Sequence, residues 1–136
     1  MYPWLAPAAI AFVCWGIWAF LPKLTTSYLD PKSAILYEVA GGLLLGLMIF
    51  VIPGFRPALE ARGIVLAMLT GMLGVAGALA YLFAVSRGPV TIISTVTALY
   101  PILAVLLAYL FLNEPISVKQ GLGILLGPVA IVLISG

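Results

Sequence analysis

The sequence predicts an all-α integral membrane protein, a bundle of five transmembrane helices, and three observations point there. First, 65% of the 136 residues are apolar and 7% are charged, with a mean hydropathy of +1.29; a soluble domain is about half apolar and about a quarter charged. Second, the apolar residues fall into five continuous runs near the roughly 20 residues that a helix needs to cross a bilayer. Such runs are too long and unbroken for the alternating strands of about ten residues in a membrane barrel. Third, each break between runs combines a charged or polar residue with Pro or Gly.

The runs are 4–21, 33–52, 63–85, 90–112 and 118–135, in one domain over residues 1–136. Pro22-Lys23, Pro53-Gly54, Arg87-Gly88-Pro89 and Asn113-Glu114-Pro115 separate them. The first run lacks both a preceding basic region and a following cleavage pattern, so it is expected to persist in the mature protein. Six basic and four acidic residues leave no basic patch for nucleic acid. With no histidine, one cysteine (Cys14) and one aspartate (Asp30), the usual zinc sites and nucleophile–base pairs are excluded; no metal, no cofactor and no enzymatic activity is expected. Cys14 reads as a buried small hydrophobe.

Five crossings place Arg56, Arg62 and Lys119 on one side of the membrane and Lys23, Lys32 and Arg87 on the other. Lys and Arg set orientation, and three against three permits insertion both ways round. Dual topology, and with it an antiparallel homodimer, is one reading; six charges being too few to read is the other. Many secondary transporters consist of two inverted repeats around a midplane site. No second copy recurs in this sequence, so a second molecule is expected to supply the other repeat.

In the first run, Trp4, Trp15 and Trp18 share a face, since eleven residues are close to three turns. Trp4 suits the interface, Trp15 a cavity wall, and Trp18 ordinary packing. The second run contains Glu38, about 10 Å from the start of its helix, where a charge costs roughly 3 kcal/mol. Glu38 reads either as a carboxylate that binds a proton, a cation or a substrate amino group, or as one that ties helices together. Tyr37, Tyr81 and Tyr100 are candidate pocket residues within reach of it if the helices converge. Gly41, Gly42 and Gly46 follow Glu38, and Gly71, Gly74 and Gly77 make the third run small-faced; Gly123 and Gly127 repeat the spacing that lets helices approach closely.

The fourth run is polar in its first half, with Thr91, Ser94, Thr95 and Thr97. Pro101 removes the donor for the Thr97 carbonyl and is expected to kink the helix. Ser94, Thr97 and Tyr100 thus form a candidate substrate wall, or else the hydroxyls bond back to their own helix. Glu114, at the end of this run, is assigned to gating or structure.

The stretches Tyr81–Gly88 and Leu99–Ser117, the Gln120-Gly121 opening of the last helix, and Trp15-Gly16 resemble the EamA domain of the drug/metabolite transporter superfamily, in its single-domain, five-helix bacterial and archaeal form. The resemblance implies export of small metabolites or amino-bearing compounds by alternating access in the cell membrane, among membrane lipids. A lipid or lipid-linked-sugar flippase is the alternative within transport, and a non-transporting scaffold subunit the alternative outside it.

Overall fold

The computed structural model describes residues 2–135. Its helices are α1 (Leu5–Thr25), α2 (Pro31–Phe50), α3 (Ala61–Arg87), α4 (Val90–Thr97), α5 (Tyr100–Leu112) and α6 (Val118–Ser135). α1, α2, α3 and the run Val90–Leu112 are each long and apolar enough to cross a membrane, and Val118–Ile134 is a shorter apolar helix. Among the described residues there is no strand, so the chain has the all-helical fold expected of it. All six basic residues lie in loops or near helix ends.

Two boundaries differ from expectation. α1 does not stop at Pro22 but continues to Thr25, with the Thr26 backbone N–H and Oγ1 both donating to the Pro22 carbonyl at 2.9 Å. Proline deprives only the preceding turn of a donor, and a membrane helix tolerates this where neighbouring groups compensate. The fourth run is divided: the helix ends at Thr97 and restarts at Tyr100. The break precedes Pro101 because proline has no N–H to donate to the Thr97 carbonyl four residues back, so the hydrogen-bond ladder stops at Thr97. The chain tightens there, Leu99 N–H donating to the Val96 carbonyl (3.2 Å) and Ile102 N–H to that of Leu99 (2.9 Å).

The chain forms two compact units, residues 1–87 and 88–136. In the first, α3 is the common neighbour, packing against both α1 and α2. The core is small and lies towards one end of the unit: Ala34 and Ile35 of α2 meet Ala78 and Leu82 of α3, flanked by Val39 and Leu79. Most large apolar side chains instead point outward, as suits helices surrounded by hydrocarbon. The glycine faces of α2 and α3 are not used for close packing: a Cβ at Gly41, Gly42, Gly46, Gly71, Gly74 or Gly77 would meet nothing within 4 Å. Cys14 is exposed, against the expectation of burial, because the close packing of this unit is confined to the end that holds Ala34, Ile35, Ala78 and Leu82.

Polar groups fasten the packed end. Asp30 caps α2, accepting from the backbone N–H groups of Lys32 (3.0 Å) and Ser33 (3.1 Å) and from the Ser33 hydroxyl, with Pro31 at the first helical position. At the other end of the unit, Glu60 caps the start of α3, accepting from Gly63 N–H at 2.6 Å. The α3 C-terminus has a different problem. Val85 is fully buried, and the residue four positions on is Pro89, which has no N–H to offer its carbonyl. The Lys23 ammonium of α1 donates to that carbonyl at 2.8 Å, placing a cation at the negative end of α3.

Two predictions follow from these caps. Lys23→Met should destabilise the first unit by about 1–3 kcal/mol, the value of a hydrogen bond to a charged group, whereas Lys23→Arg should largely retain stability; denaturant unfolding in mixed micelles measures both. The Ser33 hydroxyl, with the Ser33 and Lys32 backbone N–H groups, holds the Asp30 carboxyl below its ordinary range. A depressed acid stabilises the fold above its unfolded pKa and stops doing so as pH falls through the folded one. The start of α2 should therefore fray in acid, seen as faster amide exchange at Ser33 and Ala34, and Asp30→Asn should remove that pH dependence while keeping the cap.

Candidate functional site

The turn between α1 and α2 sets a register. Trp18 lies seven residues before the end of α1 and Glu38 seven residues after the start of α2, so both stand about 10 Å from the hairpin end. The Trp18 indole Nε1–H donates to Glu38 Oε1 at 2.6 Å.

α3 supplies the third member. α1 and α3 run parallel at a constant offset of 62 residues, which sets Lys23 on Val85 and Ala19 on Tyr81. Tyr81 is buried, its ring centroid 5.5 Å from that of Trp18 at a tilt of 30°. Its hydroxyl donates to the Ala19 carbonyl at 2.6 Å rather than to Glu38. Trp18, Glu38 and Tyr81 thus form one polar-aromatic cluster just above the core, in which Glu38 is half-buried and Trp18 is 38% exposed. Among the described residues, Glu38 accepts one side-chain hydrogen bond, that of Trp18, and has no cation partner.

The other candidates take different positions. Tyr37 is 69% exposed on the face of α2 away from the core, and Trp15 is 61% exposed on α1; neither adds a hydrogen bond to Glu38. Trp18, assigned to packing on sequence grounds, is the tryptophan that reaches the carboxylate. The equal distances of Trp18 and Glu38 from the hairpin turn emerge only because α1 runs to Thr25 and α2 starts at Pro31; the sequence bounds 4–21 and 33–52 hide them.

Ser94, Thr97, Tyr100, Pro101 and Glu114 belong to the second unit. Its hydroxyls bond back along α4: Ser94 to the Val90 carbonyl (2.6 Å), Thr95 to Thr91 (2.7 Å) and Thr97 to Ile93 (2.9 Å). Each retains its acceptor capacity. Tyr100 is 58% exposed at the start of α5, with Pro101 next to it. Asn113 ends α5 in the left-handed conformation (φ 53°), and Glu114 follows it, its backbone N–H donating to the Ala108 carbonyl at 3.4 Å.

Ser117 and Gln120 make a reciprocal cap on α6. The Ser117 N–H and hydroxyl donate to Gln120 Oε1, both at 2.8 Å, and the Gln120 N–H returns to Ser117 Oγ at 3.3 Å. Between the α4–α5 junction and α6 is a groove of about 340 Å³, lined by Leu99, Pro101, Ile102, Gly123 and Gly127, with Gln120 at its edge. Gly127 marks the close approach: a Cβ there would lie 3.1 Å from Leu99 Cδ2 and 3.3 Å from Ile102 Cδ1. Gly127→Val should therefore overpack this unit and cost about 1–3 kcal/mol, while Gly123→Val, with nothing within 4 Å, should cost less; thermal unfolding of the two variants in detergent compares them.

Neither a curated protein nor a solved structure matches the chain. The family model described as the EamA-like transporter family matches residues 3–136. That match takes in all six helices, including the Trp18–Glu38–Tyr81 cluster and the Ser117–Gln120 cap. This multi-pass membrane protein belongs to the EamA-like transporter family.

Proposed function

We propose that the protein is a proton-coupled secondary transporter, exporting small metabolites or amino-bearing compounds across the cytoplasmic membrane of a bacterium or archaeon. It works by alternating access as a homodimer, with the antiparallel arrangement favoured. Family membership supports membrane transport of the drug/metabolite type. The observation that carries the coupling is Glu38: a carboxylate inside an apolar span, tied to one neutral donor and to no cation among the described residues. A group so placed exchanges its charge against a proton or a cation, the usual role of an intramembrane acid. The three-against-three distribution of Lys and Arg supports insertion in both orientations, and an inverted second copy would complete the paired-repeat arrangement of secondary transporters. The outward aromatic Trp15 and Tyr37, and in the second unit Ser94, Thr97 and Tyr100, are the further residues assigned to substrate. Pro101 and Glu114 are assigned to movement of the broken fourth span.

A lipid-flippase reading draws on one feature, the apolar groove beside α6, which has the volume to hold part of an acyl chain. It predicts transfer of labelled lipid between leaflets.

Reconstitution into proteoliposomes tests both. Across a panel of amino acids, amines and labelled lipids, at least one amine or amino acid should move in response to a pH gradient. Glu38→Gln should assemble normally and lose that gradient-driven movement. Full retention by Glu38→Gln would contradict the coupling role, and lipid transfer without solute movement would favour the flippase.

A further inference from the structure

The cluster around Glu38 has an unmatched inventory. A carboxylate offers about four acceptor positions, and here the one side-chain donor is the Trp18 indole N–H at 2.6 Å. Tyr81 cannot act as a second donor while its hydroxyl is committed to the Ala19 carbonyl. What Tyr81 contributes is its ring, 5.5 Å from that of Trp18. The corner therefore presents one negative charge whose inter-helix side-chain donor is a neutral indole N–H, together with two aromatic rings, and Trp18 at 38% exposure leaves it accessible. The complementary ligand has a positive charge, several N–H donors and an apolar body: the charge and donors for the carboxylate, the body and cation–π attraction for the rings.

We infer that the Trp18 indole N–H is an internal stand-in for the ligand's own donor, and that a primary ammonium on an apolar or aromatic body binds Glu38 by displacing it. This rests on the transport reading of the same site and deepens it by naming the ligand class and a specificity-determining residue. Because the bond to be replaced is a hydrogen bond, charge alone does not suffice. A quaternary ammonium brings the charge without an N–H, and an alcohol brings a donor without the charge. Trp18 selects against both, since only a charged N–H donor repays the loss of its bond to Glu38. Removing the indole N–H removes an internal competitor, so the ligand should bind more tightly, the opposite of what loss of a merely structural contact would do.

The experiment uses the full chain in nanodiscs of zwitterionic lipid, with the Trp18 contribution taken as the difference in emission between the native chain and Trp18→Phe. Phenethylammonium should change Trp18 emission saturably, 2-phenylethanol should not, and phenethyltrimethylammonium should require higher concentrations. Glu38→Gln should abolish the response. In equilibrium binding of radiolabelled phenethylammonium to the otherwise native chain, Trp18→Phe should bind about fivefold more tightly, the equivalent of one net hydrogen bond. An emission change that survives Glu38→Gln, an equal response to the alcohol, or weaker binding by a folded Trp18→Phe variant would overturn the inference. Export of a non-ammonium substrate with no phenethylammonium response would overturn it too and leave the transport reading standing. A saturable, Glu38-dependent response without transport would support it and tell against that reading.

Discussion

A carboxylate in an apolar helix is the constraint around which the first unit is organised. Glu38 stands about 10 Å inside α2, where its charge is costly, and the Trp18 indole N–H of α1 is what meets it. Two further polar contacts fix the helix that carries that tryptophan. Tyr81 stacks beside it from α3 and anchors its hydroxyl on the Ala19 carbonyl, one residue along α1. One turn further, Lys23 ties α1 to the end of α3 through the Val85 carbonyl. The two anchors share the same 62-residue offset, so α1 cannot slide against α3 without losing both.

The division of labour between apolar and polar contacts follows from the solvent. In hydrocarbon, burying leucine gains little over leaving it among lipid tails, so helix association depends on close fit and polar contacts. The buried apolar core is accordingly slight, centred on Ala34, Ile35, Ala78 and Leu82, and the hydrogen bonds that cross between helices lie at its upper and lower margins. A bond of this kind also differs from packing in that it can be exchanged. An indole N–H can give up a carboxylate when a better donor or a proton arrives, and nothing in the apolar core need be rebuilt.

Much of this was legible before any coordinates. The five apolar runs and their Pro- and Gly-marked breaks follow from hydropathy and backbone chemistry, and Glu38 stood out because lipid makes an acid there expensive. Three features were harder to read. Trp15 and Trp18 share a helix face, so periodicity does not separate them; the hairpin register does, and it depends on where α1 ends. Proline at position 22 reads as a stop in water, yet the helix continues to Thr25. The missing donor four residues after Val85 is visible as Pro89, but only the fold brings Lys23 to the vacant carbonyl. In the second unit, the Ser and Thr hydroxyls of α4 fitted two roles equally on paper and bond to their own helix. Gln120, informative at first as part of a family pattern, has a local physical role as half of the α6 cap.

Exchange of Trp18 on Glu38 is read most directly by magnetic resonance in bilayers, because the chain has three glutamates and three tryptophans, and Glu38→Gln and Trp18→Phe assign the signals. Protein labelled at the glutamate side-chain carboxyl carbon and the indole nitrogen is followed as phenethylammonium is added. The Glu38 carboxyl and Trp18 indole signals should move together, with one saturation midpoint, as the ligand takes the place of the indole N–H. A Trp18 indole signal that stays fixed while the Glu38 carboxyl signal moves would contradict the exchange.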